Sequence, residues 1–316
     1  MLVWPMKAML LTIAMLASSC AATARAEQTP PAVDTQTVTK TDVVWAHPTD
    51  LDLKATIYRP AAPSSKLLPV LIDVHGGAWG SGDRTGDVLY STELAKGDVL
   101  VVSIDFRQSP QFQHPAGSAD VAAAVRYVRL NAKTLGADPD KIGLIGSSSG
   151  AHLALLAALR SDAPQHKGTP IADGTGKFAA HDEISASVGY VVAMWPVSDP
   201  AARYRYAKRA GIARLAELTE KYFPSEDAMW DASIPRIVTS GEAKILPPIL
   251  VVQPGDDSNI PQEMTFDLLH AWQARGGRVD YLFYPGQPHA FGHRPSAATT
   301  DLIAAVAGFI ARQNTR

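Results

Sequence analysis

Hydrophobic residues along most of the chain fall into short continuous runs, and the segments between these runs repeat with helical spacing. The runs cover residues 68–74, 99–106, 142–145, 186–194, 249–252 and 279–283. Continuous apolar runs of this length are typical of strands that are covered on both faces. Apolar positions recur with helical spacing at residues 88–96, 119–135, 149–160, 261–275 and 297–313. Strands that alternate with helices predict an α/β fold, with a mostly parallel central sheet and helices on both faces.

Two segments ahead of this pattern behave differently. Residues 40–46 and 51–58 alternate between apolar and polar side chains, as strands do when one face meets water. The sequence HPTD lies between them and is expected to join them. We therefore expect an antiparallel pair of strands before the parallel part of the sheet.

Two long segments in the second half of the chain match neither pattern. Residues 161–183 are polar and rich in Gly, Pro and Asp, whereas residues 199–244 mix aromatic, basic and apolar side chains. Ligand sites in open α/β sheets lie at the carboxyl ends of the strands, where such segments begin. We therefore expect residues 199–244 to form a small lid insertion over a site. The alternative is a peripheral insertion that takes no part in binding.

The N-terminus has the pattern of a targeting segment. Lys7 precedes an apolar run at residues 8–17, and Ala24-Arg25-Ala26 supplies a cleavage site of small residues. This pattern predicts a signal peptide over residues 1–26. The apolar run is too short to span a bilayer, which takes about 20 residues. We expect the protein to be periplasmic or secreted after cleavage.

After the signal peptide we expect a flexible leader at residues 27–38 and one domain at residues 39–316. Cys20 is the only cysteine of the chain, and it lies within the signal peptide. It is either removed with that segment or lipidated as a membrane anchor, although Leu16 stands one position too far from it for the usual lipobox. Removal would leave neither a disulfide nor a cysteine nucleophile.

Composition excludes several classes of function. The 316 residues are 46% hydrophobic and 19% charged, with a formal net charge of −2, as in an ordinary globular protein. This charge balance does not indicate a nucleic-acid partner. The sequence has no H-E-x-x-H motif and no Cys/His cluster, so we expect neither a metal nor an organic cofactor.

The stretch KIGLIGSSSGAHLALLAAL contains the pattern G-x-S-x-G, with Ser148 at its centre, between a predicted strand and a predicted helix. Gly146 and Gly150 would let neighbouring backbones approach at a sharp turn, where the central residue is strained and its hydroxyl exposed. Ser147 and Ser149 are then present because they are small. Ser148 is the predicted nucleophile.

A serine nucleophile needs a base and an acid, and in this type of fold the acid precedes the histidine along the chain. Asp256 and Asp257 follow the penultimate predicted strand. Asp257 is the predicted acid because it lies at the apex of a loop that starts the next helix, while Asp256 shapes the turn and Asp199 is a minor alternative. His289 follows the last predicted strand and is the predicted base. Its rival, His293, is expected to be a surface histidine.

The sequence HGGAW, which begins at His75 directly after a predicted strand, supplies candidates for an oxyanion hole. Glycines let backbone N–H groups point into a site without a clash from Cβ. We expect the N–H groups of Gly77 and Ala78 to bind the oxyanion together with that of Ser149, the residue after the nucleophile. His75 itself is expected to be structural.

With these residues identified, the chain resembles the α/β-hydrolase esterases, specifically the HGG(G/A)W group related to hormone-sensitive lipase and to bacterial feruloyl and acetylxylan esterases. The similarity extends from about residue 66 to the C-terminus. It rests on HGGAWGSGD, IDFRQSP, HPAGSAD, NAKTLGADPDKIGLIGSSSGAHLALLAAL, the Asp257 loop and YPGQPHAFG. The resemblance implies the α/β-hydrolase fold and a catalytic triad of Ser148, Asp257 and His289.

The resemblance also implies that Trp79 lines the entrance near the reacting ester. We expect His152, one helical turn after Ser148, to face the sheet, and the resemblance implies that it is structural. The chain departs from the usual family pattern at two places. The turn around Ser148 reads GSSSGA where G-x-S-A-G-G is usual, and Ala78 replaces a common third glycine. Both changes keep the residues small, so the implied mechanism is retained.

Five aromatic residues are candidates for a surface that binds the acyl or sugar part of a substrate: Trp79, Trp195, Tyr204, Tyr206 and Trp230. We assign Trp79 and Trp195 to substrate binding. The same aromatic side chains could instead form the core of the lid.

Together these features predict a serine esterase that works through an acyl-enzyme. The expected substrates are short-chain esters or the acetyl and feruloyl esters of plant cell walls, as small molecules or linked to a polysaccharide. The alternatives within the enzyme class are an arylformamidase or other amidase, a lactonase and, least favoured, a peptidase. The alternative from another class is a non-catalytic binding protein with the hydrolase fold.

Overall fold

The computed structural model describes residues 37–62 and 64–315. The predicted signal peptide and residues 27–36 of the predicted leader lie outside the described residues. The strands are β1 Val38–Ala46, β2 Leu53–Pro60, β3 Leu68–Val74, β4 Leu100–Ile104, β5 Ala137–Ser147, β6 Ile171–Ala172, β7 Phe178–Ala179, β8 Tyr190–Met194, β9 Ile249–Asp256 and β10 Val279–Pro288. The helices are α1 Val88–Ala95, α2 Ala116–Leu130, α3 Ala132–Leu135, α4 Ser149–Leu159, α5 Pro200–Arg209, α6 Ala213–Tyr222, α7 Glu226–Asp231, α8 Ile234–Thr239, α9 Gln262–Ala274 and α10 Ala297–Asn314.

All of these strands belong to one sheet, in the order β10-β9-β8-β5-β3-β4-β2-β1-β6-β7. The strands from β10 to β4 in that order are parallel to one another. Strand β2 is antiparallel to both β1 and β4. The predicted mostly parallel sheet is therefore confirmed. Because the carboxyl ends of parallel strands lie at the same edge, the loops after β3, β5, β8, β9 and β10 can share one site.

The two faces of the sheet are covered by different helices. Val70 and Ile72 of β3 pack into the layer that contains α2, α4 and α9, whereas Leu71 packs into the layer that contains α1 and α10. Successive side chains of a strand point to opposite faces, so a strand buried on both sides needs apolar residues at every position. This accounts for the continuous apolar runs in the sequence.

The bounds of two elements differ from the predicted bounds at places where a side chain hydrogen-bonds to the backbone. Strand β8 starts at Tyr190 instead of residue 186, and Arg129 donates hydrogen bonds to the carbonyl groups of Ser185 and Ser187 just before it. The predicted helix at 119–135 is divided into α2 and α3 at Asn131. The Asn131 amide donates to the carbonyl of Tyr127, so the side chain competes with continuation of the helix.

The two irregular segments both acquire structure. Part of 161–183 forms the short hairpin β6–β7, which extends the sheet beyond β1 through the pair Ala46 and Ile171. Residues 199–244 fold into the four short helices α5 to α8, and α8 packs against α4 and α9. Among the described residues, we find no helix with the length and apolarity needed to cross a membrane.

Candidate active site

Ser148 occupies the sharp turn between β5 and α4, with φ 53° and ψ −118°. A Cβ on Gly146 would lie 2.6 Å from the carbonyl carbon of Gly150, and a Cβ on Gly150 would lie 2.0 Å from the carbonyl oxygen of Val74. Neither position can hold a larger residue without moving backbone. The structure thus agrees with the steric explanation for the two glycines, and the packed backbone maintains the strained conformation of the serine.

The imidazole of His289 and the carboxylate of Asp257 form a hydrogen-bonded chain with the Ser148 hydroxyl. His289 Nε2 lies 3.0 Å from Ser148 Oγ, and His289 Nδ1 lies 2.8 Å from Asp257 Oδ2. Asp257 directly follows β9, and His289 directly follows β10. The structure therefore brings together the three residues that the sequence singled out, from three separate loops.

The carboxylate of Asp257 is fixed on both of its oxygens. Its Oδ1 accepts hydrogen bonds from the backbone N–H groups of Asn259, at 2.8 Å, and Ile260, at 2.9 Å. Its side chain is 0% exposed, whereas that of His289 is 17% exposed. A carboxylate held in this way accepts from Nδ1–H of the imidazole, which leaves Nε2 of His289 free to accept the proton of Ser148.

The alternative acids are engaged elsewhere. Asp199 caps α5, because its Oδ1 accepts from the backbone N–H of Ala202 at 2.8 Å, and its Oδ2 accepts from the Ser233 hydroxyl at 2.9 Å. Asp256 is the last residue of β9 and is exposed. Neither arrangement directs the carboxylate toward His289.

The loop after β3 has the strained backbone expected of an oxyanion hole. Gly77 has φ 119° and Ala78 has φ 50°. A Cβ on Gly77 would lie 1.9 Å from the carbonyl oxygen of Ser81, so this position requires glycine. Among the hydrogen bonds of the described residues, none is donated by the backbone N–H groups of Gly77, Ala78 or Ser149. These three groups are available to bind a ligand oxygen.

The hydroxyl of Ser149 has a contact that its small size does not explain. Its Oγ accepts a hydrogen bond from the backbone N–H of Trp79 at 3.1 Å, and both groups are buried. This bond connects the loop after β3 to the first residue of α4. We infer that Ser149 positions the two halves of the predicted oxyanion hole relative to each other.

The predicted nucleophile, the predicted base and the loop after β3 line a cavity of about 340 Å³, whereas Ser149 is fully buried beside it. Its walls include Gly77 and Ala78, the side chains of Ser148 and His289, and residues of the 199–244 segment: Arg203, Arg214, Leu215 and Leu218. A cavity of this size is at the lower end of the range that ligand pockets usually have. The 199–244 segment therefore forms one wall of the candidate site.

The two tryptophans assigned to substrate binding lie deeper than expected. Trp79 is 0% exposed, and its ring is stacked on Tyr222, with centroids 5.3 Å apart. The prediction that Trp79 lines the entrance is therefore wrong. Tyr222, at the end of α6, provides a buried aromatic partner for its ring. Trp195 lies in the cavity wall behind His289, with ring centroids 6.3 Å apart, but it too is 0% exposed. Trp195 thus supports the imidazole without presenting a surface to water.

Comparison with known proteins places this geometry in a family. Residues 55–272 match the family model described as BD-FAE. The chain belongs to the BD-FAE family. Within the matched residues are the Ser148 turn, the 199–244 segment and Asp257, whereas His289 lies beyond the matched range.

Curated relatives of this BD-FAE family member include two esterases. The isoprenylcysteine alpha-carbonyl methylesterase ICME of Arabidopsis thaliana is 29% identical over 225 residues, which are 71% of this chain and 50% of the relative. Esterase LipC of Mycobacterium tuberculosis is 30% identical over 261 residues, which are 80% of this chain and 60% of the relative. The chain thus spans between half and three fifths of the length of these relatives.

Solved structures confirm the α/β-hydrolase fold predicted for this BD-FAE protein. A hyperthermophilic esterase from Pyrobaculum calidifontis superposes with a TM-score of 0.69 at 22% identity, covering 88% of this chain and 87% of that one. The propionate-bound esterase Est2 of Thermogutta terrifontis superposes with a TM-score of 0.66 at 23% identity, covering 86% and 94% of the two chains. At these identities the likeness concerns the fold.

Three histidines near the site differ in their surroundings. His75 is buried and stacked on Phe106, with ring centroids 4.5 Å apart, and burial lowers its pKa. His152 faces the insertion instead of the sheet, since its Nε2 contacts the carbonyl of Ala232 at 2.9 Å. Burial lowers the pKa of His152 to about 3, so the ring is neutral at physiological pH.

His293 is not the simple surface histidine that the sequence suggested. It lines the cavity, and its Nε2 lies 2.9 Å from Oδ1 of Asp87, whose side chain is only 1% exposed. Sequence reasoning missed this pair because Asp87 precedes α1, far from the motifs. It also missed Arg203, whose place on α5 depends on how the insertion packs.

The buried position of Trp79 makes a prediction about stability. Trp79→Ala should lower the free energy of unfolding by about 3–5 kcal/mol, because it removes a large side chain from a packed core. Trp230→Ala is the matched control, since Trp230 is 52% exposed and should change the free energy by about 0.5 kcal/mol or less. Urea unfolding followed by circular dichroism measures both. Equal effects of the two substitutions would contradict the buried position of Trp79.

Proposed function

We propose that this protein is a serine hydrolase of carboxylic esters, and that it works through an acyl-enzyme formed on Ser148. The observation that carries the proposal is the chain of hydrogen bonds from Ser148 through His289 to Asp257, at the edge of a cavity. A hydroxyl in contact with an imidazole that a carboxylate orients is the arrangement that activates serine nucleophiles.

In the first half of the reaction, His289 Nε2 takes the proton of Ser148 as its Oγ attacks the ester carbonyl carbon. The carbonyl oxygen becomes an oxyanion, which the backbone N–H groups of Gly77, Ala78 and Ser149 bind. These donors are fixed before the substrate arrives, so they stabilise the developing charge without reorganising. The N-terminal end of α4 adds a favourable dipole at the same place.

The tetrahedral intermediate then collapses and releases the alcohol. The C–O bond of the ester breaks, and the imidazolium of His289 returns its proton to the departing alcohol oxygen. Asp257 stabilises the imidazolium throughout and remains ionised. A water molecule then attacks the acyl carbon while His289 takes its proton. The bond between the acyl carbon and Ser148 Oγ breaks, Oγ regains the proton from His289, and the carboxylic acid is released.

Esterase names among the relatives support this assignment. LipC and the carboxylesterase NlhH of Mycobacterium tuberculosis are both esterases by description. Esterase 2 of Thermogutta terrifontis, a structural neighbour, is described as phosphorylated by paraoxon, a reagent for activated serines. The cavity of this chain carries the groups that such chemistry needs.

We further propose that the substrates are short-chain esters or the acetyl and feruloyl esters of plant cell walls, as small molecules or linked to polysaccharide. The cavity volume of about 340 Å³ favours short acyl groups. Two structural neighbours from Thermogutta terrifontis are described as propionate-bound and butyrate-bound. Another, from Caldicellulosiruptor lactoaceticus, is described as an acetyl ester-xyloside bifunctional hydrolase. The feruloyl proposal rests on the sequence resemblance.

Substitution of the nucleophile tests the proposed mechanism. Ser148→Ala should lower kcat on a p-nitrophenyl butanoate assay by at least about 10⁴-fold, as loss of a triad serine does in other hydrolases. Ser147→Ala is the matched control. The Ser147 hydroxyl is buried without a hydrogen-bond partner in the described structure, so its removal should preserve most of the activity. Substantial turnover by the Ser148 variant would refute the assignment.

The rates of hydrolysis of a panel of substrates separate the alternatives. The wild-type protein should cleave p-nitrophenyl acetate and butanoate, acetylated xylan and methyl ferulate faster than N-formylkynurenine. Cleavage of the formamide alone would identify an arylformamidase, and cleavage of lactones alone would identify a lactonase. A protein that cleaves nothing and does not react with a fluorophosphonate would be a non-catalytic binding protein.

We also propose that the protein is exported and that residues 1–26 are removed. Intact-mass measurement of the protein recovered from the periplasm or medium should give a chain that begins at Glu27. A mature chain that begins at a lipidated Cys20 would show a lipoprotein instead, and Cys20→Ala would then abolish the lipid mass. Recovery of the full-length chain from the cytoplasm alone would contradict export.

A further inference from the structure

Arg203 lines the cavity but has no part in the hydrolysis proposed above. It lies on α5, within the insertion, and its residue surface is only 3% exposed. A guanidinium is charged at physiological pH, and burying a charge is unfavourable unless an opposite charge or several hydrogen bonds compensate.

The contacts of Arg203 satisfy little of its guanidinium. Nη1 of Arg203 donates one long hydrogen bond, of 3.4 Å, to Oγ1 of Thr219, whose own proton is donated to the carbonyl of Leu215 at 2.8 Å. Nε of Arg203 is buried and has no hydrogen-bond partner among the described residues. Within the same residues, no carboxylate lies within 4.0 Å of its side-chain nitrogens.

Other buried arginines of the chain are paired. Arg126 contacts the carboxylate of Asp162 at 3.2 Å, and Arg160 contacts Asp231 at 3.0 Å. Both pairs lie outside the candidate site. Arg203 thus differs from these arginines both in its missing partner and in its place at the cavity.

The guanidinium is held in position although it is not paired. Its central carbon lies 5.6 Å from the centroid of the Trp79 ring, a cation–π contact, and that ring is itself stacked with Tyr222. Burial lowers the pKa of Arg203 to about 10, which still leaves the group charged at neutral pH. A fixed charge of this kind binds an anion without first ordering a flexible side chain.

The neighbouring groups suit an anion that is attached to an apolar chain. Arg214, an exposed residue of α6, lines the same wall, and Leu215 and Leu218 lie beside it.

Asp257 is the acidic group whose charge acts on Arg203, but both of its oxygens already accept hydrogen bonds. Asp87 also lines this cavity, but its carboxylate lies beside His293. Among the described residues, no carboxylate lies within ion-pair distance of Arg203 or Arg214.

We propose that Arg203, assisted by Arg214, binds a carboxylate group carried by the ester substrate. This inference rests on the proposed ester hydrolase function and narrows its substrate class. A carboxylate matches the planar fork of a guanidinium and can accept two of its N–H groups. The carboxylate belongs either to the acyl part, in a half-ester of a dicarboxylic acid, or to the alcohol part, in an ester of a hydroxy acid.

Two pairs of substrates distinguish these sources. Monoethyl glutarate, which carries a carboxylate on its acyl part, is compared with the neutral ester ethyl pentanoate. Acetoxyacetate is compared with propyl acetate, which differs in the charge on the alcohol part. Hydrolysis is followed in a pH-stat at pH 7.5, and the quantity measured is the ratio of kcat/KM for the charged ester to that for the neutral ester.

Three variants test the role of Arg203. Arg203→Gln should lower this ratio by about 10- to 100-fold for at least one pair, the range expected for loss of a hydrogen bond to a charged group. Arg203→Lys retains the charge and should restore part of the ratio. Arg205→Gln is the matched control, because Arg205 is an exposed residue of the same helix outside the cavity, and it should leave the ratio unchanged.

A binding measurement on the wild-type protein covers the case in which Arg203→Gln does not fold. Calorimetric titration should show glutarate binding at least about 10-fold more tightly than its diamide, which has no carboxylate, for the same physical reason. An unchanged substrate ratio in a folded Arg203→Gln variant, or equal affinity for glutarate and its diamide, would overturn the inference. Absence of neutral-ester turnover by the wild type would instead contradict the proposed hydrolase, and the calorimetric comparison would still decide the carboxylate site.

Discussion

The candidate site depends on the close approach of α4 to strands β3 and β5. At the turn between β5 and α4, Gly150 leaves no room for a Cβ beside the carbonyl oxygen of Val74, and Ser148 is held at φ 53°. A single residue in such a conformation costs about 1–3 kcal/mol, which the packed sheet around it must offset. This conformation exposes the hydroxyl of Ser148 to the cavity, and the N-terminal end of α4 contacts the loop that contains Gly77.

The sheet also determines where the imidazole and the carboxylate lie. Strands β9 and β10 are parallel neighbours, and Pro288 is opposite Asp256. Residues that follow a pair of parallel strands in this register are neighbours in space, so Asp257 and His289 meet. A bulge in β10 between Tyr284 and Pro288 adjusts the register just before the histidine, as bulges near active sites often do. The geometry therefore rests on the sheet more than on the conformation of long loops.

The sequence predicted the parts of the site that follow from this sheet. Ser148, Asp257 and His289 could be found because each comes a few residues after an apolar run, and such runs predict parallel strands. Trp79 and Arg203 could not be placed, because their surroundings depend on how α5 and α6 pack. That packing leaves no periodic signal across 199–244, where short helices are joined by brief turns. The sequence did not predict the pair of His293 and Asp87 for a related reason, because the two residues come from distant segments of the chain.

The central claim is that Ser148, and not one of the serines beside it, is the activated nucleophile. It is tested most directly by labelling the wild-type protein with a fluorophosphonate and locating the adduct by peptide mass spectrometry. The account predicts one adduct per chain, on Ser148, and loss of the adduct in the variant His289→Ala. An adduct on Ser147 or Ser149, or undiminished labelling of Ser148 without the imidazole, would contradict it.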